Sequence, residues 1–407
     1  PARNRMILSV VDRAWAIISE GIGYGQAILP APFSPPGLMN TVWIDTPTQL
    51  AEACAGWRAR PWITVDTEFV RVETYRARLC LVQVGDGKTN ACIDTLALED
   101  LAPLWAVLAD LNVLKVLHAS SQDFEIVVEH TGSAPTPVFD TQIAATLMGM
   151  GDQIGYAGLV ERSLGVVIDK RLARTDWSRR PLSDAEIAYA ADDVRHLATL
   201  YPALQQQVAD AGRLDWLAED CQRLTDVHRY AVRPEDAWRR LKGLGRLDAA
   251  SQSRAVALAA WRERQAQDRN RPRKWILDDA ALYPLAERQP TTLEALEKLG
   301  CLPPRTLERH GKALLKVLAE APGPQVWMPE ELAGDDKARF RALQAEVRAC
   351  AERLNLPPGF LAPRAELETL VRQGPEANLT LLQGWRRTVL GDALLRLLDT
   401  PGTASSN

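Results

Sequence analysis

The chain has 407 residues, 46% hydrophobic and 25% charged, with net charge −4, which is material for two or three domains with their own cores. That balance excludes a global attraction to polyanions, so any nucleic-acid surface has to be a local patch. Six scattered cysteines with no CxxC spacing exclude a zinc site and a disulfide framework. No apolar stretch nears the ~18 uncharged residues of a membrane span, so a cytoplasmic protein without membrane contact is expected.

Residues 1–38 read as an N-terminal extension. Asp12, Arg13 and Glu20 in and beside its apolar stretch spoil a signal-peptide pattern, and Pro30, Pro32, Pro35 and Pro36 predict extended, poorly ordered chain; Met39 reads as a natural start. From 41 to about 204 the pattern is α/β. Trp43-Ile44 predicts a short strand, and Thr46-Pro47 opens a helix to Arg58 with Thr46 as N-cap. Strand signals follow at 62–66, 78–84 and 91–94, joined by turns short enough for an antiparallel meander. A helix at 100–109 crosses to a strand at 113–117, parallel to the one at 62–66. The expected product is a mixed sheet with helical cover.

The first of these longer strands ends in Val65-Asp66-Thr67-Glu68-Phe69. Residues i and i+2 of a strand share a face, so Asp66 and Glu68 project side by side. Two like charges about 4 Å apart repel by roughly 4 kcal/mol at an effective dielectric near 20. A fold tolerates this where solvent or a cation sits, and for an isolated Asp-x-Glu solvent is the better reading. His118 to Asp123 then runs from a strand end into a helix. Asp123, three residues after Ser120, suits a capping arrangement; it also suits a third carboxylate beyond the same strand ends as Asp66.

Helices are expected at 141–150 and 156–164. A basic loop follows, with Lys170, Arg171, Arg174, Arg179 and Arg180 around Trp177. It is either a solvated loop or a phosphate-contacting lid with an aromatic base-stacker. Ser183 and Glu186 form a capping box for a helix bearing Tyr189-Ala-Ala-Asp192-Asp193, where Tyr189 and Asp193 share a face that Asp192 does not. From 226 onward the spacing is helical throughout, with a break at Ala321-Pro-Gly-Pro324 between two sets of helices. Arg271, Arg273 and Lys274, beside Trp275, make a basic run that is either a solvated loop or an RNA-backbone contact.

Four carboxylates meeting in one cleft cannot all stay ionised without positive charge. Two divalent cations ~4 Å apart supply it, and an all-oxygen ligand set selects Mg²⁺ or Mn²⁺ over zinc. In order and spacing, the motifs at 65–69, 117–123 and 189–193 resemble those of the ribonuclease D family of DEDD-type 3′→5′ exonucleases, in the subgroup with a tyrosine in its third motif. Leu79-Cys-Leu-Val-Gln83, Phe139-Asp140-Thr141 and Asp176–Ser183 add lesser matches. The resemblance implies an α/β ribonuclease H-like exonuclease domain, a mixed sheet flanked by helices, at 39–225. Two all-α HRDC helical bundles would follow at 226–322 and 323–400, with a tail at 401–407. It further implies that Asp66, Glu68, Asp123 and Asp193 bind two divalent ions and that Tyr189 orients the attacking water, since a phenol with pKa near 10 is a poor base at pH 7. Arg174, Trp177, Arg179, Arg271, Arg273 and Lys274 are the expected RNA contacts. The implied substrates are tRNA precursors with 3′ trailers, cut to 5′-mononucleotides with no nucleotide cofactor. A DNA exonuclease and a catalytically silent RNA-binding scaffold are the alternatives.

Overall fold

The computed structural model describes residues 41–327 and 331–399, so the expected extension at 1–38 and the tail at 401–407 lie outside the described residues. The chain divides into two compact units. Among the described residues, one comprises Thr41–Phe69, Leu79–Val227 and Ala333–Asp399; the other comprises Val70–Arg78 and the described part of His228–Leu332.

In the first unit, β1 (Thr41–Ile44) leads to α1 (Pro47–Arg58). Thr46 closes a capping box with Gln49 there, which satisfies two of the amide donors a helix start leaves open. Next come β2 (Trp62–Val70), β3 (Arg78–Gly85), β4 (Asn90–Asp94), α2 (Ala102–Leu108), β5 (Leu114–Leu117), α3 (Ser121–Thr131) and β6 (Val138–Asp140). Helices α4 (Thr141–Leu147), α5 (Tyr156–Leu164), α6 (Asp184–Asp210) and α7 (Leu214–Leu224) complete the cover. The sheet order is β1-β4-β3-β2-β5-β6. β3 and β4 are antiparallel, whereas β1 with β4, β2 with β5, and β5 with β6 are parallel. This is the expected mixed sheet.

Two details differ from the sequence reading. β2 runs on to Val70, so Asp66 and Glu68 lie inside a strand and not at its end. β6 is unanticipated, because three residues are too few to show a period. Its last residue, Asp140, does heavy structural duty: its carboxylate caps α4 through the amides of Gln142 and Ile143, and accepts from the Ser120 amide and hydroxyl, both at 2.9 Å. Ser120 is thereby tied to β6 and makes no side-chain cap on α3. At the other end of these strands Lys115 is fully buried, its ammonium spent on the carbonyls of Asp110, Val113 and Thr136 at 2.8, 2.7 and 2.5 Å. Burial pulls its pKa down to about 7.

The second unit is built on α8 (Ala249–Asp268), capped by Asp248 through the Ser251 amide, with α9 (Asp279–Arg288) and α10 (Pro304–Ala319) packed on it. Leu258, Ala259, Leu282, Leu285 and Leu314 form its core. The last helices, α11 (Gly334–Leu354), α12 (Arg364–Gln373) and α13 (Asp392–Asp399), belong to the first unit. They are fastened to α7. The Trp385 and Trp216 rings stack at 4.4 Å, and Arg386 forks onto Asp220 while lying 4.2 Å over Trp385. Arg386 and Asp220 are 5% and 6% exposed, so removing Arg386 leaves Asp220 buried with its more distant partner Arg223, at 3.8 Å. Arg386→Ala should lower unfolding stability by roughly 3–5 kcal/mol, read as a drop in the urea midpoint of the first transition. A loss under about 1 kcal/mol would mean the pair is dispensable.

Candidate active site

Each acid reaches the site by its own route. Asp66 and Glu68 are turned to one face by the pleat of β2. Asp193 comes from the third turn of α6, which one bond ties to the sheet and another to α5. The Thr64 hydroxyl on β2 donates to the Val194 carbonyl at 2.9 Å, and the Tyr156 hydroxyl donates to the Asp193 carbonyl at 2.5 Å. Gly85 lets this happen: a Cβ there would stand 2.5 Å from the Thr64 oxygen and 3.3 Å from the Val194 carbonyl. The result is one oxygen each from Asp66, Glu68 and Asp193, all within 4.8 Å of one another. Asp123, on the first turn of α3 and 8% exposed, accepts from the Thr67 hydroxyl at 2.5 Å.

The electrostatics follow. Burial, then the charges of Asp193, Asp123 and Glu68, hold Asp66 well above the carboxylate range. Burial, then Asp193 and Asp123, push Glu68 up to about 8. Burial and then Asp192 raise Asp193 to about 7; burial raises Asp123 to about 6 against the Thr67 bond. The charges named for Asp66 and Glu68 are all negative. A half-buried oxygen-only cluster of this kind suits a hard divalent cation, and Asp66, Glu68 and Asp193 are the groups placed to hold one, with the buried Asp123 outside that trio. Tyr189 sits one turn before Asp193, half-buried and stacked on Trp177. Burial first, then Asp193 and Glu68, carry its phenol to about 12. Asp192 points elsewhere, to Arg195 at 2.6 Å. His118 is half-buried and bonded to the Thr141 hydroxyl and the Ile154 carbonyl.

The expected RNA contacts fare differently. Arg174 and Lys274 stand exposed. Trp177 is only 2% exposed, its ring covered beside Tyr189, so the base-stacking reading is corrected: it offers no open face. Arg179 forks onto Glu186 at 2.8 Å. Arg271 donates to the Glu73 carbonyl and lies over Trp275. Arg273 is spent on the buried Glu263, at 2.5 and 2.7 Å, and on the Tyr75 hydroxyl, which Glu263 also accepts from. Thr67 and Tyr156 escaped the sequence reading. Thr67 stood in plain view between two acids, whereas nothing local marks Tyr156, whose contact spans 37 residues.

Comparison with known proteins agrees with this geometry. Residues 41–209 match the 3′-5′ exonuclease family model and 251–318 the HRDC domain model. The ribonuclease D of Pseudomonas paraeruginosa is 39% identical over 367 residues, covering 88% of this chain and 97% of that relative. This chain belongs to the ribonuclease D family. The crystal structure of Escherichia coli RNase D, described as an exoribonuclease involved in structured RNA processing, superposes with a TM-score of 0.79. It is 33% identical and covers 88% of this chain and 99% of its own. A protein from Bifidobacterium adolescentis, 20% identical with a TM-score of 0.66 and covering 89% of this chain and 97% of its own, shares the fold. Among the described residues of this ribonuclease D family member, no helix is long and apolar enough to cross a membrane.

The raised carboxyls fix the sign of a pH effect. With folded values above unfolded ones, the metal-free protein holds extra protons; that stability is complete below about pH 4 and is lost as pH rises through about 6 to 8. Mg²⁺ or Mn²⁺ should therefore raise the thermal midpoint more at pH 8 than at pH 5, relative to EDTA. Equal increments at the two pH values would contradict the assignment of these acids as ligands.

Proposed function

We propose that the chain is a metal-dependent 3′→5′ exoribonuclease, removing nucleotides one at a time from RNA ends as 5′-monophosphates. The observation that carries this reading is the meeting of Asp66, Glu68 and Asp193 within 4.8 Å, beside Asp123, in a 3′-5′ exonuclease domain. Asp66, Glu68, Asp123 and Asp193 would hold divalent cations, Mg²⁺ or Mn²⁺. Such ions, when bound, activate water and stabilise the leaving oxygen of a phosphodiester. Tyr189, with its phenol near 12, keeps its proton and orients a water or phosphate oxygen by donating to it. Thr67 steadies Asp123, and Thr64 with Tyr156 steadies Asp193. Ribonuclease D membership and the HRDC match favour RNA over DNA, and tRNA precursors with 3′ trailers are the substrates we propose. The helices after Ala333 fit a second HRDC-like bundle, and cysteines that form no disulfide among the described residues fit a cytoplasmic enzyme.

A time course on 5′-labelled and 3′-labelled RNA tests this directly. The 3′ label should appear at once as mononucleotide, the 5′ label should shorten stepwise, and EDTA should stop both; endonucleolytic fragments, or faster cutting of a matched DNA, would reject the reading. Asp123→Asn should reduce turnover at least ~10³-fold with RNA affinity kept, as expected when transition-state charge stabilisation is lost. Asp192→Asn should stay within a few-fold of wild type. Tyr189→Phe should lower kcat by about 10²-fold with little change in KM; a KM effect alone would recast Tyr189 as a substrate-binding group.

A further inference from the structure

We propose that the second unit carries a subsite for the RNA phosphate backbone, in the cavity bordered by Arg229, Arg233, Arg239 and Arg240. This rests on the exoribonuclease reading and adds a backbone contact to it. The cavity encloses about 440 Å³, and the segment that forms it lies outside both matched family stretches, 41–209 and 251–318.

The charge count comes first. Four arginines face one acid, Asp236, among the lining residues, an excess of +3 in a chain whose net charge is −4. Asp236 cannot neutralise its neighbours, because it already divides its oxygens between Arg233 at 2.8 Å and Arg239 at 3.3 Å. Arg240 has Glu263 at only 3.8 Å, and that carboxylate is already engaged by Arg273 and Tyr75. Arg229 brings a further guanidinium with no acid of its own among the lining residues. Three of the four arginines share two acids, Asp236 and Glu263, and the positive surplus left around the hollow is what an entering anion would offset.

The walls are also held in place. Residues 234–240 form a 3-10 segment packed on α8, with Ala237 buried in the core, and the Val232 carbonyl accepts from Gln267 at 2.7 Å. Guanidinium forks match paired phosphate oxygens. The remaining lining residues, Ala231 and Val232, are small and aliphatic. Such a site holds a phosphodiester chain without reading its sequence.

The test uses the full chain and single-stranded RNA of about 20 nucleotides, with anisotropy measured in EDTA so that binding is read without cleavage. Replacing Arg229, Arg239 and Arg240 together by alanine should raise Kd at least ~10-fold near 150 mM salt. It should also shrink the slope of log K against log salt by about 2, at ~0.7 for each lost phosphate contact on a single strand. The corresponding triple lysine variant should retain the slope, and hydrolysis of a trinucleotide in Mg²⁺ should stay within about twofold for the alanine variant. An unchanged slope overturns the proposal, as does equal loss in the lysine variant, which would mark a structural effect. Displacement of the RNA by 5′-AMP as effectively as by unlabelled RNA would assign the cavity to a small phosphate ligand and equally overturn it. Because binding is read without turnover, a wild-type protein that shows the slope yet fails to cut RNA would sink the exoribonuclease reading and leave the subsite standing.

Discussion

Mutual repulsion among half-buried carboxylates is the constraint on which the rest of the first unit depends. Asp66, Glu68 and Asp193 are held with oxygens within 4.8 Å of one another, and each is pushed above its ordinary pKa. Left to themselves these groups would separate or protonate. What prevents separation is backbone: two acids on one interior strand cannot move apart without breaking the ladder, and α6 is bonded to that strand at Thr64. The scaffold thus stores an arrangement that becomes favourable only when positive charge arrives, which is how a preorganised metal site behaves.

The surrounding elements serve this placement. The parallel pairing of β2 with β5 sends both strands out on one side of the sheet, so the chain leaving β5 enters α3 beside Asp66. Asp140 fixes that exit, holding Ser120 and the start of α4 with one carboxylate. Its role is structural, and it shows that an acid close to a reactive cluster is not for that reason a member of it. Asp192 teaches the same lesson from α6, where a single step along the helix directs it to Arg195.

Much of this was legible in the chain. The two capping boxes, at Thr46 and Ser183, stand where the local residue chemistry places them, because a cap is decided within four residues. The acids were readable because strand and helix periods say which side chains share a face. The basic segments were not readable in the same way. Arg179 and Arg273 looked like phosphate contacts, yet each meets an acid brought near by folding: Glu186 at the start of α6, and Glu263 deep in α8. Trp177 looked available and is buried. A charge or aromatic ring announces its chemistry in sequence, but its partner is chosen by tertiary structure. Thr67, Tyr156 and the arginines at 229–240 were overlooked for the converse reason, since their surroundings are assembled from afar or from residues with no motif.

The stacking of Trp385 on Trp216 and the Arg386–Asp220 pair carry a consequence for how this molecule is made. They place the final helices in the same unit as the sheet, while the intervening His228–Leu332 belongs to the other. The second unit is in effect an insertion within the first. A ribosome releases α7 more than a hundred residues before its tryptophan partner exists, so the sheet-bearing unit waits on the end of synthesis for its last layer, whereas the helices of the insertion need no such delay. Trimming the chain after Leu332 would not detach an accessory module; it would expose Trp216 and strand a buried aspartate.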